Sequence, residues 1–163
     1  MIIAVYGLPG TGKSTFAKEL ASRLNACHID SDRVRVEMGL QGKYDLQSKY
    51  GVYRKMAEKM EMITREGKNV IIDSTLFIEE ARAIFIQKAD EIGTTIHFVE
   101  IKAGELTIRH RLKNAKRESE ADYEVYQKIK NDFEPYKYSH LIMYSDILLK
   151  QEMQTMALGY LKN

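Results

Sequence analysis

The chain opens on an unbroken apolar run, IIAVY at residues 2–6, which predicts a short strand buried on both faces. A glycine-rich stretch follows. Next comes STFAKELASRLN, in which Ala17, Leu20, Ala21 and Leu24 recur at helical spacing, so a helix with one buried stripe is predicted through about residue 25. Residues 26–30 (ACHID) read as a second strand, and SDRVRVEM as a polar helical start that breaks at GLQGKYD. Residues 46–67 form a long helical pattern ended by Gly67. Val70, Ile71 and Ile72 make the clearest central strand, which ends on Asp73. A helix over 77–92 is closed by Gly93, and TTIHFVEI at 94–101 is the next strand. Residues 103–134 are charged and helical, bent near 118–121 and ended by Pro135. HLIMY at 140–144 is the last strand, and 146–160 the last helix.

Strands alternating with helices predict a mostly parallel sheet covered on both faces. Such a sheet binds its ligand outside the carboxyl ends of its strands. The glycine-rich stretch, Asp30 and Asp32, Asp73, and Ser145 with Asp146 are all placed just past strand ends, so polar groups far apart in sequence converge on one edge.

Composition narrows this picture. With 163 residues, 44% hydrophobic and 29% charged, the chain fits one globular domain over residues 1–163. One cysteine, Cys27, leaves no internal disulfide framework and points to a reducing, cytoplasmic setting. No apolar run reaches the length of a membrane span. A net charge of +2 gives no global case for nucleic-acid wrapping, so any basic site must be local.

Residues 7–15 read GLPGTGKST, and Gly7 to Ser14 fit G-x-x-x-x-G-K-[ST] in full. The glycines let backbone N–H groups turn toward anionic oxygens, and the following helix adds its positive end. Gly7, Pro9, Gly10, Thr11, Gly12, Lys13, Ser14 and Thr15 are therefore the expected ATP-binding set. Lys13 is placed at the β- and γ-phosphates and Ser14 at Mg²⁺. Thr15 is placed near the α-phosphate or as a cap of the helix start.

A guanine-reading Asn-Lys-x-Asp is missing, since the nearest string is Asn114-Ala115-Lys116-Arg117. Asp73-Ser74-Thr75-Leu76 lacks the glycine of a switch element. A kinase needs less: a phosphate cradle, metal positioning, an alcohol-activating carboxylate and mobile cations. Asp32 is the expected acceptor-side base, with Asp30 assigned to the Mg²⁺ shell; the bland alternative for each is a helix cap. Arg35 shares a helical face with Asp32 and is placed on an anionic acceptor, against the alternative of a solvated side chain. Asp73 is expected to position metal or acceptor, with Thr75 beside it; Ser74 or Thr75 could instead cap the next helix.

The run RHRLKNAKR at 109–117 puts Arg109, Lys113 and Arg117 on one helical face, directly before the acidic ESEADYE. Arginine forks suit a phosphoryl group in transfer, so 103–134 is expected to be a helical lid, with a surface hairpin as the alternative. Residues 33–66 carry acceptor specificity. Their lysines and tyrosines suit either base stacking or a helix with tyrosines inside and lysines in water. Tyr50, Tyr53, Ala57 and Met60 share a face, which favours packing for part of it.

GLPGTGKST, IDSDRVR, VIIDSTL, then RHRLKNAKR followed by SEAD and FEPY together resemble a family of small P-loop kinases. That family includes the kinase domain of phage polynucleotide kinase, with zeta-toxin, chloramphenicol phosphotransferase, gluconate kinase and adenylate kinase as broader relatives. The resemblance spans residues 1 to about 145. It implies an α/β fold with a doubly wound, parallel five-stranded sheet of the nucleotide-kinase type, a small helical lid, and ATP-dependent phosphorylation of a hydroxyl with Mg²⁺. A polynucleotide 5′-hydroxyl is the acceptor it points to. By the same resemblance Asp32 activates that hydroxyl, Arg35 contacts substrate phosphate, and Asp73 positions metal or substrate. Arg109 or Arg117 contacts the ATP phosphates, and the base lies by Ser145. A small-metabolite, sugar, nucleoside or antibiotic kinase of the same fold is the alternative acceptor reading, and a non-enzymatic ATP-binding regulatory module the alternative class.

Overall fold

The computed structural model describes residues 1–114 and 120–162. Its elements run β1 (Ile2–Tyr6), α1 (Lys13–Arg23), β2 (Cys27–Asp30), α2 (Ser31–Glu37), α3 (Leu46–Arg65), β3 (Val70–Ser74), α4 (Glu79–Glu91), β4 (Ile96–Lys102), α5 (Glu105–Asn114), α6 (Glu120–Asn131), β5 (Leu141–Tyr144) and α7 (Lys150–Tyr160). The strands form one five-stranded sheet in the order β2-β3-β1-β4-β5, and every neighbouring pair is parallel.

β1 is fully buried, and its side chains alternate between two cores because successive Cβ atoms point to opposite faces. Ile2, Ala4 and Tyr6 pack with Val52, Met56 and Met60 of α3 and Phe85 of α4. Ile3 and Val5 pack with Phe16 and Leu20 of α1 and Met153 and Ala157 of α7. The sheet is therefore doubly wound, as the strand-helix alternation predicts.

The register aligns the carboxyl ends. Asp73 pairs with Val5 on one side and Asp30 on the other, and Tyr6 pairs with both Ser74 and Glu100. Asp30 and Asp73 thus lie inside their strands and not past their ends: β2 closes on Asp30, and the ladder of β3 holds through Ser74.

α4 begins at Glu79, two residues later than its pattern predicts, and neither Ser74 nor Thr75 caps it. The cap comes from far away in sequence: Glu134 Oε2 accepts from the Glu79 N–H at 2.6 Å. Arg82 closes the same junction from inside. It is 1% exposed and donates to Leu76 O and Glu134 O, each at 2.8 Å, beneath a Leu76 held at φ 41°. Arg82→Met would leave both carbonyls without their charged donor. Charge-assisted bonds of this kind contribute roughly 1.5–3 kcal/mol each, and a partly compensated loss of about 2–4 kcal/mol is expected. Urea unfolding should show a lower midpoint at unchanged slope; an unchanged midpoint would refute the role.

Candidate functional site

The glycine-rich loop joins β1 to α1, and close contacts on two sides fix its path. At Gly7, φ is 150° and an added Cβ would meet Ile101 O at 2.2 Å, so the loop needs glycine there to pass β4. At Gly10 an added Cβ would meet Ile108 at 3.0 Å and Leu112 at 3.2 Å, which places α5 directly on the loop. Thr11 is buried and its hydroxyl donates to Leu8 O at 2.8 Å, bracing the turn. Gly12 is the N-cap of α1, in the left-handed conformation. The positive helix end therefore opens at Lys13, and Thr15 lies inside the helix and does not cap it.

Ser14 Oγ donates to Asp73 Oδ1 at 3.2 Å, and His28 Nε2 lies 3.1 Å from Asp73 Oδ2. Asp73 is 1% exposed and so keeps a fixed position against the loop. Among the described residues no group of three or more His, Cys, Asp or Glu is arranged to hold a metal. Magnesium needs no such cage: it commonly takes one or two carboxylates, keeps several waters and shares substrate phosphates. The hydroxyl and carboxylate oxygens of Ser14 and Asp73 are hard donors that fit it. Asp30 caps a helix: its Oδ1 accepts from Asp32 N at 2.9 Å at the start of α2.

Two cavities take lining from the loop and the start of α1. One, of about 290 Å³, is lined by Gly12, Thr15, Phe16, Arg111, Ser145 and Leu148, among others. The other, of about 170 Å³, takes in Pro9, Lys13, Asp32, Arg35, Lys49 and Thr75, with Val125 and Ile129 of α6 over it. Asp32, Arg35 and Thr75 are thus brought together with Lys13, although the sequence separates them by up to 62 positions. Arg35 is not a solvated side chain. It is 6% exposed, donates to Lys43 O at 2.6 Å, and lies 4.6 Å from the centre of the Tyr44 ring. In α3, Tyr53, Ala57 and Met60 are buried, and burial pushes the Tyr53 hydroxyl up from the ordinary tyrosine range. Most of that tyrosine face is therefore core, and Tyr44 is the exposed ring.

The lid arginines sort differently from the expectation. Arg109 is exposed and lies 5.1 Å from the centre of the Tyr123 ring. Arg117 lies outside the described residues. The guanidinium at the loop is that of Arg111, which donates to Gly10 O at 3.3 Å, Ser145 Oγ at 2.8 Å and Ser145 O at 3.2 Å. Ser145 in turn donates to Thr11 O at 2.5 Å, so the end of β5, the lid and the loop share one network. Spacing does not single out Arg111: Ile108 and Leu112 meet the loop, and Arg109 and Arg111 flank that pair symmetrically, each three residues from one and next to the other. α5 and α6 are stitched by Glu105, which accepts from Tyr123 Oη at 2.9 Å and pairs with Lys130 at 2.5 Å. Lys130 first, then Tyr123, hold the Glu105 carboxyl below the usual carboxylate range.

A parallel sheet of this order, a helical lid and a phosphate cradle at the sheet's carboxyl edge define a P-loop protein of the kinase architecture. The chain belongs to the AAA domain family, which matches residues 2–136. A sequence likeness to a cytidylate kinase of Methanocaldococcus jannaschii is local: 35% identity over 83 residues, covering 47% of this chain and 46% of that protein. The matched stretch thus spans less than half of that curated relative. Solved structures share the whole fold. An APS kinase of Mycobacterium tuberculosis superposes with a TM-score of 0.82 at 15% identity, covering 99% of this chain and 97% of that one. A sugar kinase of Janibacter sp. gives 0.75 at 18% identity, covering 99% and 94%. At these identities the likeness is one of fold. None of these three proteins is a polynucleotide kinase. No described helix is long and apolar enough to cross a membrane.

Proposed function

We propose that this protein is an ATP-dependent phosphotransferase acting on a hydroxyl of a small-molecule acceptor. The observation that carries the reading is the pair of cavities meeting at the loop. Arg111, Ser145 and Thr15 line the side suited to a nucleotide base, while Lys13, Asp32 and Arg35 line the side suited to an acceptor. ATP laid along the loop would place its γ-phosphoryl group between them. The residues at 33–66 then form the acceptor segment, and those at 103–134 the lid, within one catalytic unit.

In this reading Ser14 and Asp73 hold Mg²⁺, which supplies charge neutralisation on the phosphates. Lys13 stabilises charge on the transferring group. Asp32 accepts the acceptor's hydroxyl proton and keeps its oxygen in line. Arg35 and Thr75 orient the acceptor. Arg111 takes the phosphate-side role expected of Arg109 or Arg117, and it closes water out with Ile108 and Leu112. The carboxylate of Asp32 favours an alcohol over a phosphate acceptor such as a cytidylate, because a phosphate oxygen has no proton to give up and is repelled by it.

A small cavity under a lid suits a metabolite, a sugar derivative or a nucleoside better than a polynucleotide 5′-hydroxyl. A transfer screen with labelled ATP decides between them, using sugars, nucleosides, aminoglycoside-like alcohols, cytidine monophosphate and 5′-hydroxyl DNA and RNA. Acceptor-dependent ester formation on a small alcohol is expected, and ATP binding without any transfer would overturn the proposal. In the same assay Lys13→Ala should lower turnover by about 100-fold or more, in line with the loss of a charge-stabilising group. Undiminished turnover would remove Lys13 from the site.

A further inference from the structure

The acceptor-side cavity has an imbalance of charge that the transfer reaction does not explain. Its lining holds three cations, Lys13, Arg35 and Lys49, against one carboxylate, Asp32. Lys13 belongs to the donor phosphates. Arg35 and Lys49 are left facing an acceptor.

Both are held at a cost. Arg35 is more than nine-tenths buried, and of its five N–H donors one is committed to Lys43 O while Nε is buried with no partner. An unmet buried donor of this kind is destabilising unless a ligand supplies the acceptor. Among the described residues no carboxylate lies within ion-pair distance of Lys49. Its ammonium sits 4.9 Å from the centre of the Phe77 ring. Burial first, then the like charges of Lys128 and Arg35, push the Lys49 ammonium below the ordinary lysine range, and Asp132 and Asp45 offset this only in part. Asp45 is itself engaged, with one oxygen on Ser48 N at 2.9 Å and the other on Ser48 Oγ at 2.7 Å.

Cations from α2 and α3 thus line one space of about 170 Å³ in which Asp32 is the single carboxylate, and Lys128 of the lid helix α6 is near enough to repel Lys49. We infer that the acceptor is a small alcohol carrying a phosphate or sulfate ester, and that Lys49 with Arg35 holds this oxyanion while the hydroxyl faces Asp32. Fork geometry suits Arg35 to two oxygens at once, and Lys49 supplies a point charge to a third. Lys128, on the exposed side of α6, adds attraction for the lid, so the acceptor's own charge draws the lid down. A neutral sugar would leave the cations unpaired. This inference rests on the phosphotransferase reading, and its test separates the two.

The first arm needs no turnover. The protein is saturated with Mg²⁺ and a non-hydrolysable ATP analogue to fill the loop, then titrated with sodium sulfate by calorimetry, with sodium chloride as the ionic-strength control. One saturable sulfate site is expected, weakened about tenfold or more by Lys49→Met and largely kept by Lys49→Arg. No saturable binding, or equal binding to Lys49→Met, overturns the inference. Lys49→Met should fold normally, because it removes a desolvated cation beside two others; its thermal midpoint checks this. The second arm compares matched alcohols with and without the ester group, such as ribose against ribose 5-phosphate. The charged members should be preferred, and Lys49→Met should raise their KM while leaving the KM for ATP unchanged. Equal use of neutral and charged members overturns the inference but keeps the phosphotransferase. A sulfate site without transfer to any alcohol, charged or neutral, overturns the phosphotransferase instead.

Discussion

Asp32→Asn should lower phosphoryl transfer by about 10²–10⁴-fold, the span a positioned general base contributes, while ATP binding is kept. The substitution is clean for structural reasons. Asp32 takes part in the helix cap through its backbone N–H, which donates to Asp30 Oδ1 at 2.9 Å, and an asparagine keeps that N–H. Its side chain lines the acceptor cavity, whereas Thr15 and Ser145 line the other one. Removing its negative charge should therefore leave the nucleotide side intact. Asp30→Asn makes the paired control. Asparagine caps a helix about as well as aspartate, so if Asp30 is only a cap, turnover should fall by less than about threefold. Single-turnover transfer with the acceptor found by screening, beside equilibrium binding of an ATP analogue, reads both variants. Undiminished transfer by Asp32→Asn would remove it as the base. A collapse in Asp30→Asn would return Asp30 to the metal shell.

The contrast between these two aspartates shows what sequence can and cannot supply. The segment IDSDRVR is enough to place two carboxylates at a strand-to-helix junction. Which one caps and which one faces the cavity depends on the turn of one peptide unit, and no spacing rule reports that. The central features were legible because they are local. IIAVY and VII are too short and too apolar to be anything but buried strands, and GLPGTGKST constrains its own backbone. Long-range closures were not legible. Glu134 caps α4 across 55 positions, and Arg82 binds Leu76 O and Glu134 O, so the start of α4 has no signal of its own nearby. Arg35 offers a third case. Three residues from Asp32 it must share a helical face, but only the folded position of Lys43 and Tyr44 makes it buried instead of solvated.

Arg111→Met should lower turnover about 10³-fold, the lower end of what a phosphate-directed arginine contributes, whereas Arg109→Met should cost less than about threefold. The pair tests the lid where sequence spacing and structure disagree. Spacing by four groups Arg109 with Lys113 and Arg117, and that face carries most of the charge. The folded contacts decide otherwise: the Arg111 guanidinium reaches Gly10 O and Ser145, whereas Arg109 is exposed. Two guanidinium nitrogens of Arg111 already reach Gly10 O and both oxygens of Ser145. Phosphate oxygens arriving along the loop would compete with those neutral acceptors and win the charge-assisted bonds. Because Ile108 and Leu112 dock the helix independently, Arg111→Met should keep the lid in place, and a thermal midpoint within about 2 °C of the parent would be consistent with that. Arg111→Lys keeps the charge but loses the fork, and should recover only a small part of the rate. If Arg109→Met proves the more damaging change, the lid must reorganise on binding ATP, and the exposed face that sequence spacing favours becomes the catalytic one.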